Sequence, residues 1–393
     1  MKKNFFYVAA LFLGLTFTAT SCSDDDEPNI DNQENVDPAN IEYTSKNAKS
    51  WHNYSKVVAR LLQGDSQKLY DEWNNHYAQE FKTLKAGYSS YLASIEQIID
   101  GCSDIAAEVG GAKLGDPYQL FMSGDKTAAL YAVESWYSWH SKEDYSNNIV
   151  SVQNAYYGLR NQTQGIDGVQ YHENSMAALV NAKDPAFHKQ IDEAIKNAYK
   201  AIMNIPTPFR NHIGSPETKA AMDACDALND VIKEGSKNLK SFMQEQYGKA
   251  DSDAALEAVV KQYVDVVVVP TYTDLKNKNN ALCEVVDKLA ANPTNENFKA
   301  ACDAWIVARE PWEESEAFLF GPVADFGLDP NMDSWPLDQA AIVNILNSGK
   351  FDDLDWDGDY SEENEEIANK QSVRGYHTLE FLLFKDGQAR KVK

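Results

Sequence analysis

The chain has 393 residues, a formal net charge of −24 and 43% hydrophobic residues. That length supports one large or two ordinary domains with real cores. The acidic balance argues against nucleic acid, whose phosphates need basic patches, and favours cations as a general field effect.

The N-terminus reads as an address. Lys2 and Lys3 precede an apolar run from Phe5 to Thr18, and small residues Ala19-Thr20-Ser21 lead into Cys22. This is the layout of a secretory signal, too short to span a membrane with proper flanks. Its ending resembles a bacterial lipobox, with 1–21 as signal peptide and Cys22 as the lipidated first residue. The following Ser23-Asp24-Asp25-Asp26-Glu27 resembles the surface-export signal of some Gram-negative lipoproteins. Residues 22–42 carry hardly an apolar side chain and are expected to form an acidic disordered tether. The expected location is the cell envelope, lipid-anchored to the outer membrane, with the periplasmic and surface faces both open. Cys102, Cys225, Cys283 and Cys302 show no Cys-x-x-Cys spacing, and their pairing is left open.

Helical patterns dominate from Asn47 onward. Trp51, Tyr54, Val57, Val58, Leu61 and Leu62 recur at three- and four-residue steps, and further stripes run over Leu69–Phe81 and Tyr88–Val109. The turn-rich stretch from Gly110 to Gly124 reads as a loop, and it lacks the Gly-Lys-Ser/Thr ending of a phosphate loop. Asp184-Pro185 and Ser215-Pro216 each place a capping residue before a proline, opening helices expected to reach Asn204 and Tyr247. Val266–Val269 before Pro270 reads as a buried helix end, and Leu275–Ala291 and Asn295–Phe320 as further helices. The expected fold is all-α, with two up-down, four-helix-bundle-like domains at 43–210 and 211–393.

Two features near the C-terminus bear on chemistry. Asp353, Asp355, Asp357 and Gly358 open like an EF-hand loop, but Asn364 stands where the bidentate glutamate belongs, which disfavours calcium. His377 and Glu380 share one helix face inside an apolar segment of Leu379, Phe381, Leu382, Leu383 and Phe384. Imidazole plus carboxylate is half of a transition-metal site or half of an acid–base pair, and burying both is costly without partners. Glu316 is the further candidate ligand, with Glu313 sharing its face. Arg309 is a candidate to hold a carboxylate, against the alternative of a structural ion pair, and Gly375 would allow an unusual turn.

Gly375-x-His377-x-x-Glu380, together with Trp305-Ile306-Val307-Ala308-Arg309, Glu316-Ala317-Phe318, Gly321-Pro322 and Trp335-Pro336-Leu337-Asp338, resembles the ordered signature of the imelysin family. Glu134-Ser135-Trp136 is similar to another family segment. The resemblance implies an all-helical extracytoplasmic protein associated with iron uptake, with the Gly-x-His-x-x-Glu region in the functional site at a domain interface. It also implies a metallopeptidase class. The residues support that less, because Thr378 follows His377 and no His-Glu-x-x-His is present. In many family members another bundle follows this element, and Leu69-Tyr70-Asp71-Glu72-Trp73 looks like material from there, so a circularly permuted arrangement is expected, with a truncated second bundle as the alternative. The metal set expected is His377, Glu380 and Glu316, holding iron or, alternatively, zinc. The partners expected are the metal ion or an iron-containing ligand and an outer-membrane transporter. Two other readings stand beside this one: a metallopeptidase using the same residues, and a non-catalytic surface binding protein in which His377 and Glu380 are structural.

Overall fold

The structure, a computed structural model, describes residues 41–160, 170–351 and 353–392. The expected signal peptide, the lipidation site Cys22 and nearly all of the tether lie outside the described residues. Helices account for almost all regular structure, beside one two-residue antiparallel hairpin pairing Phe384–Lys385 with Gln388–Ala389. The fold is all-α. No described helix is long and apolar enough to cross a membrane, and the four cysteines from Cys102 to Cys302 are free and buried.

Capping chemistry places several boundaries. The Asp184 carboxylate accepts the Phe187 amide at 2.9 Å, and with Pro185 in the first turn it opens the helix Pro185–Asn204. Ser90 caps Tyr91–Glu108 in the same way, accepting from the Ala93 amide at 3.1 Å.

Elsewhere the chain departs from simple periodicity. The glycine-rich stretch expected as a loop is mostly helical: a π turn at Val109–Lys113 leads into Gly115–Ser123. The helix expected from Pro216 to Tyr247 stops at a π turn, Asp230–Glu234, and restarts at Leu239. Gly235 folds its amide back onto the Asp230 carbonyl at 2.9 Å, and the Asn238 side chain caps the new start. The valine run does not end a helix. Tyr263–Val268 is a π turn that passes directly into Val269–Ala291, and its wider register admits Pro270, which has no amide to donate.

The motif helix, Gly375–Leu383, is buried along its whole length. Trp51 and Tyr54 of the N-terminal helix (Ala48–Glu72) donate to the carbonyls of Leu382 and Val373, at 2.8 and 2.5 Å. Trp305, on the helix Asn295–Glu313, donates to the Tyr376 carbonyl at 2.9 Å. The Tyr376 hydroxyl returns a bond to the Ala308 carbonyl at 2.9 Å. At the other end, the Arg390 guanidinium donates to the Phe381 carbonyl at 2.9 and 3.0 Å. The N-terminal helix thus lies against the motif helix, the proximity that a permuted order of bundles requires.

Candidate metal centre

The motif helix begins where only glycine fits. Gly375 has φ +85°, and a Cβ there would meet the Met332 carbonyl oxygen at 2.5 Å. This close approach lays the motif helix against a short helix, Leu328–Asp333, which carries Asp329 and Asp333. Two residues in from Gly375, His377 is fully buried. Its Nδ1 lies 3.2 Å from Glu380 Oε2 and its Nε2 lies 3.2 Å from Asp333 Oδ1. Burial and the nearby Arg309 charge push the imidazole towards neutrality, but Asp333 and Glu380 prevail and raise its pKa to about 9. That shift favours the protonated imidazole, whose two nitrogens face Glu380 and Asp333. Arg309 Nη2 approaches the same Nε2 at 3.4 Å.

Arg309 is the hub. Its Nε donates to Asp144 at 2.9 Å, Nη1 donates to Asp333, and Nη2 lies 2.7 Å from Glu313 Oε1. Further donors hold the same acids: Trp312 Nε1 on Asp333 at 2.8 Å, Asn148 on Glu313 at 2.6 Å, and the Ser135 hydroxyl on Asp144. The backbone amide of Ser138 donates to Glu380 at 2.8 Å. Ser135 and Trp139, in the segment that delivers these groups, have φ of 50° and 64°. Positive φ at non-glycine residues is strained backbone, of the kind that clusters at ligand clamps.

Beyond the hub the charges cease to balance. Glu313, Glu316 and Asp333 bring one carboxylate oxygen each to within 4.8 Å of one another, among the described residues the one such group with metal-holding geometry. Glu316 opens the 3₁₀ turn Glu316–Phe318 just past the end of the Arg309 helix. It is 8% exposed. Burial raises Glu316 well above the usual carboxylate range, only partly opposed by Lys113. Burial likewise raises Glu313 to about 8 and Asp329 to about 7. Asp333 goes the other way: Arg309 and His377 outweigh its burial and hold it far below that range.

Of the residues singled out from the sequence, His377 and Glu380 pair with each other, and Arg309 holds Glu313. Glu316 joins Glu313 and Asp333 instead of closing a three-residue group with His377 and Glu380. Sequence reasoning missed Asp144, Asp329, Asp333 and Lys113. The signal for the second and third was their i, i+4 spacing just before Trp335, which sets both carboxylates on one helix face. The acids of the EF-hand-like loop face cations of this chain: Asp353 pairs with Lys370, and Asp355 with Arg374, each at 3.1 Å.

An all-carboxylate donor group suits hard cations, manganese among the transition metals, over soft ones. Three carboxylate oxygens within 4.8 Å of one another repel as anions, and a bound cation would offset that repulsion. The residues present therefore fit a metal ion held by Glu313, Glu316 and Asp333.

The imelysin family model (peptidase M75) matches residues 27–234 and 268–393. A crystal structure of an imelysin peptidase from Bacteroides ovatus is similar at 53% identity and a TM-score of 0.85, covering 91% of this chain and all of that one. Iron-regulated protein A of Synechococcus elongatus is 33% identical over 125 residues, 32% of this chain and 31% of that protein. The chain thus matches only about a third of that curated relative's length. By a family match that takes in most of its sequence, including the helix of His377 and Glu380, the chain belongs to the imelysin family.

Proposed function

We propose that this protein is a lipid-anchored, extracytoplasmic binding protein for a transition-metal ion, iron first, working in metal uptake. Glu313, Glu316 and Asp333 bind the ion. Arg309 orients Glu313 and Asp333, and the His377–Glu380 pair holds Asp333 from the other side. One observation carries the reading: Glu313, Glu316 and Asp333 bring one carboxylate oxygen each to within 4.8 Å of one another, with Glu313 and Glu316 buried. Such a group is costly unless something positive satisfies it. The name of the Synechococcus relative supports iron as the cargo. The acidic tether and Cys22 attach the protein to the outer membrane, next to a transporter that receives the ion.

The test is metal content by mass spectrometry of purified residues 43–393 after incubation with Fe, Mn and Zn, beside Glu316→Gln and His377→Ala. Near-stoichiometric metal in the wild type, lost in folded Glu316→Gln, is the expected result. Absence of metal from every sample overturns the reading. The name of the Bacteroides relative favours a second one, a metallopeptidase at the same site. Peptide cleavage that stops on chelation would select it.

A further inference from the structure

Residues 132–139 form no helix or strand of their own, yet they serve the candidate centre at three points. The Ala132 carbonyl accepts from the Trp335 indole at 3.2 Å, and that ring packs edge-on against His377 with centroids 4.7 Å apart. The Ser135 hydroxyl donates to Asp144, and the Ser138 amide donates to Glu380 at 2.8 Å. Ser135 and Trp139 both hold a positive φ, a conformation that persists only where the surroundings enforce it. With no regular ladder of hydrogen bonds, this backbone takes its shape from what is packed on it.

One such support is the hairpin that follows the motif helix. Asp386 and Gly387 form its two-residue turn, with φ of 50° and 72°, and Asp-Gly is a pair that suits two left-handed residues in succession. The Gly387 amide donates out of the hairpin, to the Tyr137 carbonyl at 2.9 Å. Its α-carbon leaves no room beside the Trp139 indole, because a Cβ there would meet the ring's Cε3 at 2.5 Å. The turn therefore grips residues 137 and 139, on either side of the amide that holds Glu380. The Tyr137 ring in turn lies edge-on to Phe381 of the motif helix, with centroids 5.1 Å apart. Resting on the metal reading above, we propose that Gly387 is a positioning residue of the candidate centre. It fixes the backbone of residues 137–139 so that Ser138 aims its amide at Glu380. Glu380 then faces His377 at 3.2 Å, and His377 faces the ligand Asp333 at 3.2 Å.

The probe is Mn²⁺, titrated into the protein and followed by electron paramagnetic resonance, with folding checked by circular dichroism. Gly387→Ala drives a methyl group into the Trp139 ring and is expected to weaken Mn²⁺ binding about tenfold or more, the scale on which groups behind metal ligands act. Gly124→Ala is the control, since Gly124 also has a positive φ, +99°, but open space where its Cβ would stand. It strains the backbone away from the hairpin and is expected to bind Mn²⁺ as the wild type does. A purely structural turn would lower stability in both variants and affinity in neither. Trp139→Ala removes the ring that Gly387 packs against and is expected to weaken binding by a smaller factor. Unchanged Mn²⁺ affinity in folded Gly387→Ala overturns the proposal, as does an equal fall in Gly124→Ala. If Gly387→Ala does not fold, unchanged affinity in Trp139→Ala overturns it instead. A wild type that takes up neither Mn²⁺ nor iron sinks the metal reading itself, a result distinct from wild-type binding that ignores Gly387.

Discussion

Two arginines, one on either side of the short helix Leu328–Asp333, are almost fully buried, and they serve different ends. Arg374, at the start of the motif helix, donates to Asp65, to Asp355 at 3.1 Å and to the Leu354 carbonyl at 3.2 Å. Around it Asn331 bonds Asp65 at 3.4 Å and accepts from Trp356 and Gln371 at 3.1 and 3.0 Å. Each acid there has a donor; burial raises Asp65 as well, opposed by Arg374, and Asp355 is largely exposed. Arg309 is surrounded by three acids of its own, and beyond them stand Glu316 and Asp329, which burial raises above their ordinary range. A network whose charges are matched ties elements together. One with surplus acid stores a demand for positive charge, and that surplus separates a candidate site from architecture.

The sharpest way to break this contrast is to remove each network's distinctive group. Arg374→Ala leaves Asp65 buried without its main cation. It is expected to destabilise the protein by about 3–5 kcal/mol, read by urea denaturation, with much less change in the metal affinity of the folded fraction. Glu316→Gln should do the reverse, because it deletes a buried acid whose charge burial disfavours. Its stability without metal should equal or exceed that of wild type, while metal affinity collapses. Metal at a hundredfold excess over its dissociation constant is expected to stabilise the wild type by about 2.7 kcal/mol. Chelator should abolish that gain, and Glu316→Gln should never show it. Loss of stability in metal-free Glu316→Gln would mean that Glu316 belongs to the architecture after all.

Parts of this contrast were legible in the sequence. The all-α class followed from three- and four-residue apolar steps, and Asp184-Pro185 marked a helix start that the structure keeps. His377 and Glu380 stood out because polar groups in an apolar helix need partners. The partners did not stand out, for a physical reason. Asp144 and Asp333 reach Arg309 from segments far apart in the chain, and nothing in local periodicity encodes that meeting. Lys113 was hidden by its glycines, which read as a loop. A π turn inserts one residue and rotates every later side chain, so face assignments made with a regular period drift after it. The same effect obscured the continuity of the helix through Pro270.

A smaller perturbation tests whether the site responds to charge or merely to stability. Ser90 caps the helix Tyr91–Glu108 by accepting from the Ala93 amide. Ser90→Ala removes that cap and is expected to cost about 1 kcal/mol, measurable as a shift in the denaturation midpoint at constant slope. If the cluster depends on local electrostatics, Mn²⁺ affinity in Ser90→Ala should match the wild type even though the protein is weaker. A parallel fall in affinity would mean that any loosening of the fold disturbs the cluster, and that the cluster's apparent selectivity for charge changes reflects the rigidity of the surrounding protein.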